Sequence, residues 1–161
     1  SPRDRTTGGG GDPAGGARMS NDAVERFATV PLFEGLNPEE VAYMLRVAED
    51  VSAAPGDVLI REGANADAFY VIAAGAFEVR KKDETLARLE DFSYFGEMSL
   101  CSNEPRSATV ICVQTGRLKK FSIDTFQRMI ESGNKIAYKV LRSMCRILAK
   151  RLARLGERMV S

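Results

Sequence analysis

The sequence contains no histidine, and only three cysteines among its 161 residues. Without an imidazole there is no Ser-His or Cys-His dyad, no histidine acid–base chemistry and no histidine-rich metal centre. A small β-barrel enzyme that holds its metal through histidines is excluded on the same ground. Cys101, Cys112 and Cys145 are odd in number, widely spaced and free of any C-x-x-C pair. That pattern opposes both a disulfide framework and a zinc site, and predicts reduced, mostly buried thiols. No run of about 18 apolar residues is present, so no membrane-spanning helix is expected. The N-terminus is Gly-rich and polar where a secretory signal needs an apolar stretch, which makes the cytoplasm the expected location.

Apolar residues make up 44% of the chain, enough for the core of a single domain. Net charge is +1 but unevenly distributed. Residues 21–134 hold twelve basic and nineteen acidic side chains, whereas eight basic residues and one acidic follow from Lys135 onward. An acidic body therefore carries a basic C-terminal segment.

The first 18 residues include Gly8 to Gly11 and almost no apolar side chain, which predicts a flexible leader, with Met19 a candidate start. Two short helices are expected over 19–50. Asn21 to Thr29 has Val24 and Phe27 at helical spacing, and Pro31-Leu32-Phe33 makes a turn. Asn37-Pro38-Glu39-Glu40 has Asn as N-cap, Pro at the first helical position and Glu at the third. Val41, Met44, Leu45 and Ala48 form the apolar stripe of that helix. Over 51–122 the period shortens. Val58-Leu59-Ile60, Phe69 to Ile72, Phe77 to Arg80, Leu86 to Leu89, Thr109 to Val113 and Arg117 to Phe121 read as separate strands. Their frequent turn signals predict a mainly β protein, a small antiparallel barrel or sandwich flanked by helices. Over 123–161 the pattern is helical again. A short helix has Phe126, Met129 and Ile130 inward and stops at Gly133-Asn134. A longer one carries Ala137, Leu141, Met144, Leu148, Leu152, Leu155 and Met159 at helical spacing.

The chemistry concentrates in Phe95 to Thr109. Gly96 follows an aromatic-rich strand end and opens a short helix, whose first N–H groups attract anions. Arg106, nine residues after Glu97, is suited to fork onto phosphate oxygens. Glu97 has the wrong sign for phosphate, but a carboxylate accepts hydrogen bonds from a sugar hydroxyl. A Glu and an Arg at this separation fit a structural ion pair equally well.

Phe-Gly-Glu-Met-Ser-Leu followed by Glu-Pro-Arg-Ser-Ala-Thr-Val resembles the phosphate-binding cassette of the cyclic-nucleotide-binding domain family. Catabolite activator proteins, protein kinase A regulatory subunits and cyclic-nucleotide-gated channels belong to it. The resemblance extends from about Val24 to the last helix and includes Pro55-Gly56-Asp57, Glu62-Gly63, Phe69 to Ile72 and Gly75. It implies an antiparallel double-stranded jelly roll with N-terminal helices and two C-terminal helices, in a small bacterial stand-alone member or a fragment. It also implies a regulatory module without catalytic residues, cofactor or metal, whose ligand is cAMP, with cGMP the other candidate. Glu97 then receives the ribose 2′-hydroxyl and Arg106 pairs with the cyclic phosphate. Gly96, Met98, Ser99, Ser107 and Ala108 complete the cradle, and Val71, Leu89 and Leu100 wall the sugar and base. Tyr138 is the candidate to cap the base, with packing against the barrel as its other role. Two departures stand out. The turn before the cassette reads Glu90-Asp91-Phe92-Ser93 where the family has Gly-Asp, and Ser107 fits either nucleotide.

In this family the C-terminal helices act as lid and transducer, with a hinge near Gly133. Lys139, Arg142, Arg146, Lys150, Arg154 and Arg158 make a basic ladder, read as a solvated face or as a docking surface for an acidic partner, nucleic acid or anionic membrane. An effector protein or a second copy, through this helix, are the expected partners. DNA binding is not expected, because no helix-turn-helix follows before Ser161. The alternative function is a protein-interaction module on the same fold that binds no nucleotide in the cell.

Overall fold

The computed structural model describes residues 21–160. The leader expected over 1–18 and the candidate start at Met19 lie outside the described residues, as do the side chains of 157–160, Arg158 and Met159 among them. Asn21–Phe27 forms helix α1 and Pro31–Phe33 a single 3-10 turn. Helix α2 spans Pro38–Val47 and starts with the capping box read from the sequence. Asn37 Oδ1 accepts the Glu40 N–H and Glu40 Oε1 accepts the Asn37 N–H, both at 2.9 Å. Val41, Met44 and Leu45 of α2 are buried against Phe33, Phe69 and Phe121.

Six strands follow: β1 (Glu49–Ala53), β2 (Val58–Ile60), β3 (Ala68–Lys81), β4 (Glu84–Leu89), β5 (Tyr94–Phe95) and β6 (Thr109–Ser122). They pair antiparallel in the order β1-β6-β3-β4, with β2 also on β6 and β5 also on β3. The sheet curls in jelly-roll fashion without closing into a barrel, and the helices flank it.

Two strand boundaries differ from the sequence reading. Phe69 to Ile72 and Phe77 to Arg80 belong to one 14-residue strand, as do Thr109 to Val113 and Arg117 to Phe121. Gly75 marks an irregularity inside the ladder, where the β3–β6 register shifts repeatedly between Ile72 and Phe77. Here the two backbones nearly touch. A Cβ on Gly75, whose φ is +99°, would lie 2.6 Å from Gly116 Cα, and one on Gly116 would lie 2.4 Å from the Ala74 carbonyl oxygen. Only glycine on both strands permits that approach. The shift also changes which alternate residues face which side. Ala68, Tyr70 and Ile72 share a core with Phe77 and Val79, while Phe69 and Val71 face the helices.

Helix α3 (Ile123–Glu131) starts at Ser122, whose hydroxyl accepts the Thr125 N–H. Phe126 and Met129 are buried as expected, but Ile130 is exposed. Burial on α3 follows Ile123, Phe126 and Met129, which leaves Ile130 at the edge of the stripe. The helix closes through N–H bonds from Gly133 to the Ile130 carbonyl and from Asn134 to the Met129 carbonyl. Asn134 then caps helix α4 (Lys135–Val160), its Oδ1 accepting from the N–H groups of Ile136 and Ala137.

Only the first half of α4 is seated. Ala137, Val140 and Met144 are buried and Leu141 and Leu148 partly so, whereas Leu152 and Leu155 are 68% and 52% exposed. Lys139 Nζ lies 2.9 Å from both Glu40 oxygens, Arg146 Nη1 lies 3.0 Å from Glu34 Oε2, and the Ser143 hydroxyl donates to the Glu34 carbonyl. The basic ladder is therefore not uniformly solvated. Two of its members tie α4 to the N-terminal helical layer, because the acidic body supplies carboxylates at matching heights. The thiols also differ from expectation: Cys112 is buried, but Cys101 and Cys145 are exposed.

Gly75→Ala is expected to lower the stability measured by urea unfolding by about 2 kcal/mol or more, since neither backbone can give way. The Asn37 N–H, then the Lys139 ammonium, hold the Glu40 carboxyl below its ordinary value of 4.5. A depressed carboxyl stabilises above that value and loses its contribution as pH falls through the folded one. The urea midpoint should accordingly fall more steeply below about pH 4.5 in the wild type than in Glu40→Gln.

Candidate functional site

Arg106 is positioned by main-chain bonds on both sides. Its N–H donates to the Ala64 carbonyl at 2.9 Å and its carbonyl accepts the Gly63 N–H at 2.8 Å. The guanidinium donates to the Gly96 carbonyl at 3.1 Å and to the Ala68 carbonyl at 2.5 Å. Its side chain is only 7% exposed. The carbonyls satisfy N–H groups without cancelling charge. Among the described residues its one carboxylate neighbour is Asp67, 3.8 Å away and itself 79% exposed. Burial pulls the guanidinium below its ordinary value, opposed by Asp67, Tyr70 and Glu97, and an arginine so placed stays cationic.

Gly96 makes room for that side chain. With φ at +79° it turns the end of β5 into a 3-10 helix over Glu97–Leu100, and a Cβ there would lie 3.0 Å from the Ala68 carbonyl and 3.1 Å from Arg106 Nη1. The N–H groups of Ser107 and Ala108, next to Arg106, have no protein partner among the described residues. Beside them opens a cavity of about 400 Å³, within the size range of small-molecule sites. Gly96, Glu97, Met98 and Ser99 line one side of it, and Arg106, Ser107 and Ala108 another. Ile60, Val79, Leu89 and Val110 form an apolar wall.

Glu97 does not pair with Arg106, so the structural ion pair between them is not formed. Its carboxylate is 12% exposed and lies 3.6 Å from Arg151 Nη1, on the second half of α4. Tyr94 joins the same group. Burial, then the Glu97 charge, push its phenol up, while the charge of Arg151 and a hydrogen bond to it act the other way. The cavity is thus lined by a cation, a carboxylate acceptor, N–H donors without a partner among the described residues and an apolar wall. That set suits an anionic sugar phosphate with a flat base.

A family model described as the cyclic nucleotide-binding domain matches residues 50–132. The chain belongs to the cyclic nucleotide-binding domain family. It is 35% identical over 107 residues to the cAMP-dependent protein kinase type II regulatory subunit of Drosophila melanogaster, an alignment covering 66% of this chain and 28% of that protein. It is also 35% identical over 132 residues to the human potassium/sodium hyperpolarization-activated cyclic nucleotide-gated channel 1, covering 81% of this chain and 14% of the channel. The chain therefore spans less than a third of the length of these relatives. The crystal structure of Thermus thermophilus catabolite activator protein superposes with a TM-score of 0.70 at 28% identity, covering 80% of this chain and 61% of that one. The family is one of regulatory binding modules. Among the described residues no helix is long and apolar enough to cross a membrane.

Within this cyclic nucleotide-binding domain, all seven cassette residues and Leu89 line the cavity. Val71, Leu100 and Tyr138 do not. Val71 lies on the helix-facing side of β3 and is fully buried there, because the register shift at Gly75 gives the cavity face to Val79 instead. Leu100, at the end of the 3-10 helix, turns into the helical core. Tyr138 is 63% exposed, neither in the cavity nor packed on the sheet, because it sits on the outer face of the first turn of α4. The Ser99 hydroxyl donates to the Gly96 carbonyl at 2.7 Å, which braces the cassette turn. Sequence reasoning missed Val79, Tyr94 and Arg151. Val79 stood in a recognised strand run, but nothing local marks Arg151, which lies off the basic ladder.

Gly96→Ala is expected to cost about 1–2 kcal/mol in chemical denaturation, because a left-handed backbone with a Cβ is strained. The same Cβ crowds Arg106, so the variant should also shift the backbone amide resonances around residue 106.

Proposed function

We infer that this domain is a cyclic-nucleotide sensor that prefers cAMP to cGMP and passes binding on through its C-terminal helix. The observation that carries the reading is the Arg106 guanidinium, buried at the cavity wall with no closer carboxylate among the described residues than the exposed Asp67 at 3.8 Å. A buried charge of this kind is stabilised by an anion of fitting size. A cyclic phosphate supplies one negative charge there, with the Ser107 and Ala108 N–H groups as further donors. The ribose 2′-hydroxyl donates to Glu97, and the base lies along Val79, Leu89 and Val110. The preference for cAMP draws on the similarity to a cAMP-dependent protein kinase regulatory subunit; Ser107 favours neither nucleotide.

The link to output follows from Arg151. It holds the carboxylate that the ribose needs, so a nucleotide and the second half of α4 act on the same group. Binding that favours one placement of α4 over another shifts the helix by its difference in affinity for the two. Gly133 and Asn134 supply the hinge, and movement there is also what Tyr138 requires to reach the base. The unseated half of α4, with Leu152 and Leu155 exposed, is the surface offered to an effector protein or a second copy. Residence in the cytoplasm belongs to the same reading and accords with three free thiols.

Isothermal titration with cAMP and cGMP tests this directly. Saturable binding of cAMP, tighter than of cGMP, is expected; no binding of either at high micromolar concentration sinks the reading in favour of a protein-interaction module. Arg106→Ala should weaken cAMP by more than about tenfold, or about 1.4 kcal/mol, because the phosphate charge loses its partner. An affinity unchanged by that substitution refutes the role given to Arg106.

A further inference from the structure

The two exposed cysteines sit on the two elements that meet at the cassette. Cys101 ends the 3-10 helix of the cassette, and Cys145 lies in the seated half of α4. Leu100, adjacent to Cys101, packs in the same core as Leu141 and Leu148. Those two leucines are four residues before and three after Cys145, so they share its helix face. The Glu97–Arg151 contact sets the register between the elements. Cys101 lies four residues beyond Glu97, about 8 Å along a 3-10 helix. Cys145 lies six residues before Arg151, about 9 Å along an α-helix. Leu100 and Leu148 each lie three residues from that contact and pack against one core, the arrangement of two antiparallel elements, in which these near-equal steps bring the two thiols to the same level. Their electrostatics agree: after burial, Cys145 is the next group that raises the Cys101 thiol, ahead of Glu97.

We propose that Cys101 and Cys145 are a redox-sensitive pair whose oxidation to an intramolecular disulfide locks α4 onto the cassette. With a peroxide as oxidant, one thiolate attacks a peroxide oxygen and becomes a sulfenic acid as water leaves. The second thiol displaces a second water and forms the S–S bond. Two thiols are oxidised and one peroxide is reduced to two waters. Cys112 takes no part, being buried with its thiol directed at the Gln114 carbonyl. The lock holds Arg151 against Glu97. The consequence for nucleotide, which rests on the function proposed above, is weaker binding.

The test uses the full chain, reduced and then treated with hydrogen peroxide, with remaining thiols alkylated and peptides mapped by mass. A linked Cys101–Cys145 peptide in monomeric protein, with Cys112 alkylated after unfolding, is expected. It should be absent from Cys101→Ser and from Cys145→Ser. No linked peptide, or one joining two chains, overturns the pair. The oxidised protein should bind cAMP at least about tenfold more weakly, with affinity restored by dithiothreitol, and Cys145→Ser should lose this sensitivity while keeping the reduced protein's affinity. A complete cross-link that leaves cAMP affinity unchanged overturns the lock. Absence of nucleotide binding in both redox states defeats the nucleotide reading, while the linked peptide still decides the thiol pair.

Discussion

A guanidinium can enter a protein interior only where its N–H groups find acceptors, and the acceptors of Arg106 come from two distant parts of the chain. The Ala68 carbonyl stands at the start of β3 and the Gly96 carbonyl at the turn out of β5. Its own backbone is bonded to Gly63 and Ala64, before β3. One residue therefore joins the β2–β3 loop, through its backbone, to the start of β3 and the cassette, through its side chain. Neutral carbonyls accept two of its N–H groups and leave its charge in place. The same geometry explains Gly96, since any Cβ would meet both the Ala68 carbonyl and the guanidinium.

The wall opposite the cassette depends on a second backbone constraint. At Gly75 and Gly116 the two longest strands come too close for any side chain, and the ladder slips there. Strand alternation is unforgiving: a slip of one position exchanges the faces. Before the crossing, β3 sends Phe69 and Val71 toward the helices; after it, Phe77 and Val79 line the sheet's other side. Val79 thereby joins the cavity's apolar wall, although its parity would place it on the face of Val71 in an unbroken strand.

Helix α4 divides energetically at about its midpoint. Its first half is capped by Asn134, buried through Ala137, Val140 and Met144, and tied by Lys139 and Arg146 to Glu40 and Glu34. Partly exposed ion pairs contribute modestly, so the apolar face carries most of that attachment. The second half has exposed leucines, and its one ion pair among the described residues is that of Arg151 with Glu97. A segment held by so few contacts opens at low cost. The weakest attachment of the helix thus falls on the carboxylate that faces the cavity.

Features written in neighbouring residues were legible in the sequence. The Asn37–Glu40 capping box and the stop at Gly133-Asn134 depend on spacings of a few positions and formed where their patterns stood, and the residues of the Gly96 to Ala108 stretch line one cavity. Family membership was legible for the same reason. What only the tertiary structure decided depends on residues far apart meeting. The crossing of Gly75 with Gly116 assigned the cavity to Val79 and not Val71, and the packing of α4 drew Leu100 inward. The same packing left Leu152, Leu155 and Tyr138 in solvent, matched Lys139 and Arg146 to Glu40 and Glu34, and gave Glu97 to Arg151, not to Arg106. Local pattern sets the shape of each element and the chemistry it carries. Which partner each side chain meets follows from how the elements pack, and that is settled only when the sheet and its helices close around their two cores.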